Sequence, residues 1–353
     1  MSERALVSTR KGLFVYARDR RGWGLAQSHF AGSPVTLALA DPSDGALYAA
    51  LNLGHFGPKL HRSDDGGASW QEIAVPAFPA GAEGNPALKQ VWALEAGAEP
   101  GTLWAGGIPA GLFVSKDRGA SWHLVDALWN LPERARWFGG GYDDAGIHSV
   151  LVDPDDASHI IVGISCGGVW QTRDGGKSWK PRTDGMFAAY VPPEQRNDSA
   201  VQDPHRVARC AAHPDNLWIQ HHNGVFRSTD GGGKWNELLP PVSNFGFAVA
   251  AHPSDPKTAW FVPAQSDQRR EPVDATMVVT RTRDGGATFE TLGVGLPAPA
   301  YDLVYRHGLD VDEAGERLVM GSTTGGLWFS DDAGEEWQLE RTRLPPIYAV
   351  RFV

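Results

Sequence analysis

Four histidines are the residues of this sequence with the strongest potential for chemistry. His55, His148, His205 and His222 fall in segments that we expect to meet at one mouth of a central channel. Neutral imidazole rings are common ligands of Zn, Mn, Fe and Ni, and a metal with an open coordination position can activate water or polarise a substrate oxygen. We therefore predict a divalent transition-metal site. The alternative is that each ring separately hydrogen-bonds a loop carbonyl.

Carboxylates and two further side chains reach the same predicted mouth. Asp143 and Asp144 lie in the glycine-rich stretch GGGYDDAGIHS, and Asp203 stands two residues before a candidate metal ligand. Carboxylates in such a position could serve as an acid and a base, although the sequence does not give their separation. The candidate catalytic residues are Asp143, Asp144, Tyr142 and Arg206.

Aromatic and amide side chains in the same segments could hold a ligand. Aromatic rings can form a platform for a sugar or a planar molecule, and amides can orient it by hydrogen bonds. The alternative for each ring is ordinary packing within a loop. The candidate ligand-binding residues are Trp92, Gln90, Phe245 and Asn223.

The elements that must position these residues are set by a repeated motif. The pattern Ser/Thr-x-Asp-x-Gly-x-x-Trp/Phe occurs six times, starting at Ser63, Ser115, Thr172, Ser228, Thr282 and Ser330. A short apolar run precedes each copy and an alternating stretch follows it, which indicates a hairpin whose turn is held by the Asp and Gly. Six equivalent acids around a ring cannot serve one site, so we interpret these Asp residues as structural.

The repeat predicts an all-β fold, a seven-bladed β-propeller of four-stranded antiparallel blades. A degenerate seventh copy ends at Trp23, and units of this length suit propeller blades. We predict a single domain over 1–353, whose closing blade combines 1–31 with 347–353 and so pairs the C-terminal strand with the N-terminal strands. The predicted inner strands are 35–40, 91–96, 147–152, 206–211, 247–251, 301–306 and 347–353.

The longest predicted loops all lie on the face opposite the repeated turns. They span 80–90, 131–146, 184–204 and 264–275. Loops that grow on one face of a repeat scaffold usually carry its function, so the channel mouth on this face is the expected site. His307 is expected to end an inner strand on the far side.

Charge and hydropathy limit the partners. The net charge is −10 and no run of Lys or Arg occurs, which argues against nucleic acid and anionic membranes. The first ten residues lack the apolar core of a signal peptide, so we expect a cytoplasmic protein whose two cysteines are reduced. A small polar or carbohydrate-like ligand is the expected partner, with a protein partner as the alternative.

The repeated motif resembles the Asp-box, or BNR, repeat of sialidases and of many propellers that are not sialidases. The stretches GHFGPKLHRSDDGG, GIHSVLVDP and HHNGVFRS are similar to bacterial proteins generically labelled glycosyl hydrolase or exo-alpha-sialidase. The resemblance implies a propeller of the sialidase-like, sortilin-like or photosystem assembly-factor kind. True sialidases also share an arginine triad and an early Arg-Ile-Pro motif, and that motif is absent here.

These observations predict an enzyme, a metal-assisted hydrolase or lyase that acts on a small polar or carbohydrate-like substrate at the mouth opposite the Asp-box turns. Some propeller polysaccharide lyases resemble this arrangement in using His and a divalent metal. One alternative is a non-catalytic propeller that binds a ligand or a protein during assembly. The other alternative is a sialidase-type glycosidase, because fold likeness alone does not decide function.

Overall fold

The structure is a computed structural model that describes residues 2–82, 84 and 86–353. It contains seven sheets, each of four antiparallel strands, and neighbouring inner strands lie against one another around a closed ring. The predicted seven-bladed β-propeller is therefore confirmed. One short α-helix, α1 (Asp126–Trp129), and five 3-10 turns lie in the loops. None of the helices in the described part of the chain has the length and apolar character needed to cross a membrane.

The strands follow one another in chain order from blade to blade, with the first three and the last sharing blade 7. The first three are β1 (Arg4–Thr9), β2 (Gly12–Asp19) and β3 (Gly22–His29). Blades 1 to 3 contain β4 (Val35–Ala40), β5 (Leu47–Asn52), β6 (Pro58–Ser63) and β7 (Gln71–Ile73); β8 (Gln90–Ala96), β9 (Leu103–Ile108), β10 (Leu112–Ser115) and β11 (His123–Leu124); and β12 (Gly146–Val152), β13 (Ile160–Ser165), β14 (Gly168–Thr172) and β15 (Lys180–Pro181).

Blades 4 to 6 follow the same order from the channel outward. They contain β16 (Pro204–Arg209), β17 (Leu217–His221), β18 (Gly224–Ser228) and β19 (Asn236–Leu238); β20 (Gly246–Ala251), β21 (Ala259–Pro263), β22 (Val279–Thr282) and β23 (Glu290–Leu292); and β24 (Leu309–Val311), β25 (Leu318–Gly321), β26 (Leu327–Ser330) and β27 (Gln338–Leu339). The final strand, β28 (Ile347–Phe352), is the inner strand of blade 7.

Blade 7 combines strands from the two ends of the sequence. β28 pairs antiparallel with β1, with Val350 opposite Val7 and Phe352 opposite Ala5. The side chains of Val350 and Ala5 are buried in one apolar cluster with residues of blade 6. The pairing covers an edge of β1 that would otherwise offer unpaired backbone groups to another chain.

Six of the seven predicted inner strands lie within two residues of the observed ones. The prediction for blade 6 is wrong, because residues 301–306 form no strand and the inner strand is β24. Leu303 instead packs into an apolar cluster with Phe245 and Phe247, and its carbonyl accepts a hydrogen bond from Thr323 N. Because the strand begins later, His307 lies at the channel rather than on the far side.

The repeated Asp residues hold the hairpin turns, as their spacing suggested. In the first copy, Ser63 Oγ donates to Asp65 Oδ1 over 2.8 Å and accepts from Gly67 N over 2.8 Å. Ser69 N and Ser69 Oγ donate to the two oxygens of Asp65. These hydrogen bonds, those from Ser69 first, lower the pKa of Asp65 to about 2. The other five copies repeat the bonds from the first residue to the Asp and from the later amide to it.

Candidate metal centre at the channel mouth

Three side chains of blade 4 converge at the mouth opposite the Asp-box turns. Ligand atoms of Asp203, His205 and His222 all lie within 4.8 Å of one another. Asp203 Oδ2 is 3.4 Å from His205 Nε2 and 3.5 Å from His222 Nδ1. The register explains the meeting, because β16 and β17 pair Pro204 with His221 and so bring the start of one strand beside the end of the other.

The tautomer of His205 places two hydrogen-bond acceptors opposite each other in this cluster. His205 Nδ1 lies 2.6 Å from the carbonyl oxygen of Gly246. A carbonyl can only accept, so Nδ1 carries the proton and Nε2 of the neutral ring has a lone pair. That lone pair faces the Asp203 carboxylate, which is also an acceptor. A cation between the two would satisfy both, and metal-bound histidines commonly donate their second nitrogen to a carbonyl in this way.

Asp203 is held as an anion in a buried position. Its Oδ1 accepts hydrogen bonds from Cys166 N over 3.1 Å and from Ser165 Oγ over 3.3 Å. Burial opposes the charged form, and the positive charge of Arg306 is among the interactions that offset it and hold the pKa of Asp203 well below its usual range. Burial lowers the pKa of His205, which favours the neutral ring that a metal needs.

Aromatic rings surround the cluster on most sides. Phe247 stacks on His205 with ring centroids 4.4 Å apart, and Phe245 presents its edge to both histidines at 5.7 Å. Tyr190 presents its edge to His222 at 5.1 Å. His222 has 22% of its side-chain surface exposed, whereas His205 has 3%. Solvent or a ligand would therefore approach the cluster from the side of His222.

A cavity of about 820 Å³ is connected to this cluster through Arg306 and Phe247, and the three cluster residues are not among its described lining residues. The side chains that matter for binding are Gln90, Trp92, Tyr142, Arg270, Tyr305 and Arg306. The guanidinium carbon of Arg306 lies 4.8 Å from the ring centroid of Trp92 and 5.4 Å from that of Phe247. Since Phe247 also stacks on His205, Arg306 connects the cavity with the cluster. No carboxylate is present among the described residues that line the cavity.

Of the four histidines predicted as metal ligands, the structure brings together two, His205 and His222, with Asp203 beside them. His148 is buried, with Nε2 2.7 Å from the carbonyl oxygen of Pro204 and Nδ1 2.9 Å from Ser149 Oγ. Both of its nitrogens are therefore occupied. His55 lies exposed on a 3-10 turn (Gly54–Phe56) and contacts the neighbouring Phe56 ring.

Three of the four predicted catalytic residues lie away from the cavity. Asp144 is 2.6 Å from Lys89 Nζ, and Asp143 and Asp144 line a separate hollow of about 110 Å³. Arg206 donates to the carbonyl oxygen of His148 over 3.2 Å and faces a deeper part of the channel. Tyr142 does line the cavity, with its ring edge-on to Trp92 at 5.3 Å.

The predicted ligand-binding residues divide into two pairs. Trp92 and Gln90, both on β8, line the cavity, and Gln90 Oε1 accepts from Asn52 Nδ2 over 3.3 Å. Phe245 belongs instead to the aromatic rings around Asp203, His205 and His222. Asn223 Oδ1 accepts from Ala189 N over 2.8 Å, so this side chain fixes the loop that leads to Asp203.

Sequence reasoning missed the role of the segment 305–307, because it placed the inner strand of blade 6 too early. The turn that follows β24, at residues 312–317, could have shown where the inner strand lies. Asp312 N donates to Arg317 O, which is the same bond that Asp41 N makes to Ala46 O in blade 1. Counting back from this proline-free turn would have placed 305–307 at the mouth.

Comparisons with known proteins support the fold. No protein-family model matches the chain. It is 26% identical over 331 residues to a probable oligoxyloglucan-reducing end-specific xyloglucanase of Neosartorya fischeri, an alignment that covers 84% of this chain and 38% of that protein. It is 23% identical over 324 residues to the photosystem II assembly lipoprotein Ycf48 of a Synechococcus species, covering 83% and 84%.

Among solved structures, a GH74 xyloglucanase from Xanthomonas campestris matches with a TM-score of 0.67 and 18% identity. The match covers 100% of this chain and 52% of that one. The chain therefore spans only about half or less of the xyloglucanases it resembles. Similarity at this level shows a shared propeller fold.

Proposed function

We propose that this protein is a metal-assisted hydrolase or lyase that acts on a carbohydrate at the channel mouth. The observation that carries the proposal is the unprotonated Nε2 of His205, which faces the Asp203 carboxylate over 3.4 Å with His222 alongside. Two acceptors placed this way among aromatic rings repel each other unless a cation or a hydrogen-bond donor joins them, and a metal ion could also bind His222.

The donor set suits a catalytic metal. Two imidazoles and one carboxylate are a common ligand set for Zn, Mn, Fe or Ni, and three protein ligands leave at least one position open. A metal at this position could activate water or polarise a substrate oxygen. The open position would face the side of His222, where the cluster is most exposed.

A carbohydrate substrate is supported by the cavity and by the relatives. Trp92 and Tyr142 offer rings for a sugar face, while Gln90 and Asn52 offer amide groups. Two of the curated relatives are described as xyloglucanases, which act on a carbohydrate. Most glycosidases use two carboxylates beside the scissile bond, and the described lining of this cavity has none. A metal is the alternative source of the required acid or nucleophile.

A non-catalytic assembly role is the second candidate. The similarity to Ycf48, a photosystem II assembly lipoprotein, covers 84% of that protein, compared with 38% of the xyloglucanase. A sialidase mechanism has less support, because Arg206 and Arg351 lie together deeper in the channel while Arg306 lies at the mouth.

Metal analysis tests the proposal directly. After reconstitution with Zn, Mn, Fe or Ni in turn, we expect about one equivalent of one metal in the wild-type protein, and its loss in Asp203→Asn and His205→Gln. His159→Gln is the matched control, because His159 Nδ1 also lies 2.9 Å from a buried carboxylate, that of Asp153, but has no third ligand in the described part of the chain.

Three outcomes separate the candidates. A wild-type protein that binds none of the four metals would refute metal assistance. Metal-dependent cleavage of an oligosaccharide, measured as new reducing ends or new unsaturated ends, would support the enzyme. A stable protein complex that Asp203→Asn leaves intact, without any turnover, would favour the assembly role.

A further inference from the structure

We propose that the substrate is an acidic carbohydrate, whose oxyanion group is bound by Arg306 with help from Arg270. The inference rests on the proposed function, because it specifies what binds in the cavity that Arg306 connects with the metal cluster. The observation behind it is the positive charge of Arg306 and Arg270, which line that cavity.

Arg306 is a cation without a hydrogen-bonded partner among the described residues. Its Nε is buried and makes no hydrogen bond, and no carboxylate lies within ion-pair distance of its guanidinium in the described chain. Its guanidinium carbon lies over the rings of Trp92 and Phe247. Arginine inside a protein is normally paired, since removing its charge from water is costly. Arg306 lines the cavity, and a planar guanidinium can match a carboxylate in two hydrogen bonds.

Arg270 adds a second positive charge to the same cavity. Its guanidinium carbon lies 5.4 Å from the centroid of Phe247, the ring that Arg306 also contacts. Asp267 Oδ1 accepts from Arg270 Nη2 over 2.6 Å, so part of this charge is balanced within the loop. We therefore assign the main role to Arg306 and a supporting role to Arg270.

The positive cavity contrasts with the protein as a whole. The net charge is −10, yet the described cavity lining contains two arginines and no carboxylate. Field lines concentrate in a cleft lined by one sign of charge, which raises the local concentration of the opposite ion. The nearest counter-charge of Arg306 is the Asp203 carboxylate, which makes no ion pair with it, and a neutral sugar would add none. A sugar with an oxyanion would supply one while its ring packed on Trp92.

The cavity volume fits a short saccharide. A volume of about 820 Å³ lies within the range of sites for small organic ligands. A carboxylate of a uronic acid and a phosphate on a sugar share the chemistry that Arg306 recognises. The binding test therefore includes both anions and their neutral counterpart.

Binding of glucuronic acid, glucose 6-phosphate and glucose to the full chain, measured by ligand-observed NMR and titration, tests the inference. We expect at least one anionic sugar to bind at least tenfold more tightly than glucose. The anion that binds more tightly shows whether the natural ligand carries a carboxylate or a phosphate. Arg306→Gln should remove that preference, Arg306→Lys should restore part of it, and Arg270→Gln should reduce it less.

The control is a channel arginine that already has a partner. Arg351 is paired with Glu95, so the double substitution Glu95→Gln with Arg351→Gln removes a channel ion pair and should keep the preference for the anion. Thermal unfolding of each variant identifies those that fail to fold. Equal binding of glucose and both anions, or an anion preference that survives in folded Arg306→Gln, would overturn the inference.

The failure of this inference can be told apart from the failure of the proposed function. Folded Arg306→Gln should lose anion preference but keep its metal, whereas Asp203→Asn should lose metal but keep most anion binding. A metal-free protein that still prefers an anionic sugar would refute metal assistance and leave the recognition of an acidic ligand standing.

Discussion

At the scale of single residues, the channel beyond the cavity contains an acid with an unusual pKa. Asp310, on β24, lines a hollow of about 40 Å³ together with Glu95, Arg206 and Arg351. Burial, which disfavours the charged form, raises the pKa of Asp310 to about 6, although the bond from Phe352 N and the charge of Arg351 oppose this. We therefore expect this carboxyl group to change its charge near pH 6.

We predict that Asp310→Asn removes part of the pH dependence of stability. The folded state holds the proton more tightly than the unfolded state, whose pKa is about 3.9. The stabilisation from Asp310 is thus complete below about pH 4 and is lost as pH rises through about 6. Between pH 4.5 and 7.5 the wild type should lose about 1–2 kcal/mol of unfolding free energy relative to Asp310→Asn, allowing for partial solvent access.

Urea unfolding at the two pH values measures this difference. Asn can still accept the hydrogen bond from Phe352 N, so the substitution changes the charge and little else. An exposed acid, Asp64, supplies the control Asp64→Asn, which should follow the wild type. An identical pH response in the wild type and Asp310→Asn would contradict the assignment.

The histidines show how far single residues can be read from the sequence. Residue type and strand register were enough to bring His205 and His222 together. They were not enough for His148, because only the folded structure places the Pro204 carbonyl and the Ser149 hydroxyl against its two nitrogens. Asp203 was visible as a neighbouring acid, but its role depended on the tautomer that Gly246 imposes.

At the scale of elements, the stability of each repeated hairpin should depend more on the buried first residue of its motif than on the exposed residues of its turn. Ser115 Oγ donates to Asp117 Oδ1 over 2.8 Å and accepts from the buried Gly119 N over 2.8 Å. Ser115→Ala leaves that amide without an acceptor, so we expect a loss of about 1–3 kcal/mol in unfolding free energy. Thermal or urea unfolding measures the loss.

The same box supplies its own control. Ser121 Oγ also donates to Asp117, but in an exposed position where water can replace it. Ser121→Ala should therefore cost clearly less than Ser115→Ala. Equal losses in the two variants would show that burial of the turn amide is not what stabilises the hairpin.

The hairpins and the inner strands differ in how readily the sequence predicts them. A hairpin turn is fixed by residues within a few positions of one another, so all of the repeated boxes could be located. Blade 6 lacked the proline that marks the inner turn in other blades, and its apolar stretch at 301–306 resembled a strand. The long loops at 131–146 and 184–204 follow no period, so the directions of Asp144 and Asp203 could not be derived.

At the scale of the whole molecule, the large cavity at the channel mouth exists only in the closed ring. Arg306, which precedes the inner strand of blade 6, contacts Trp92 of blade 2 across the channel. His307 Nε2 lies 2.8 Å from the carbonyl oxygen of His148 in blade 3, another contact across the channel. The cavity therefore depends on blades that are distant in sequence, and ring closure positions them.

We predict that the closing contact of blade 7 controls the stability of the entire propeller. Val350 on β28 is 5% exposed and packs with Val7 and Phe329, so Val350→Asp places an unpaired charge in the closing blade. We expect a loss of at least about 3 kcal/mol together with oligomers, because an opened ring exposes strand edges. Leu25→Asp, on β3 of the same blade and 45% exposed, should change stability by about 0.5 kcal/mol or less. Urea unfolding and size-exclusion chromatography measure both effects, and a Val350→Asp protein as stable and monomeric as Leu25→Asp would show that the ring does not depend on this contact.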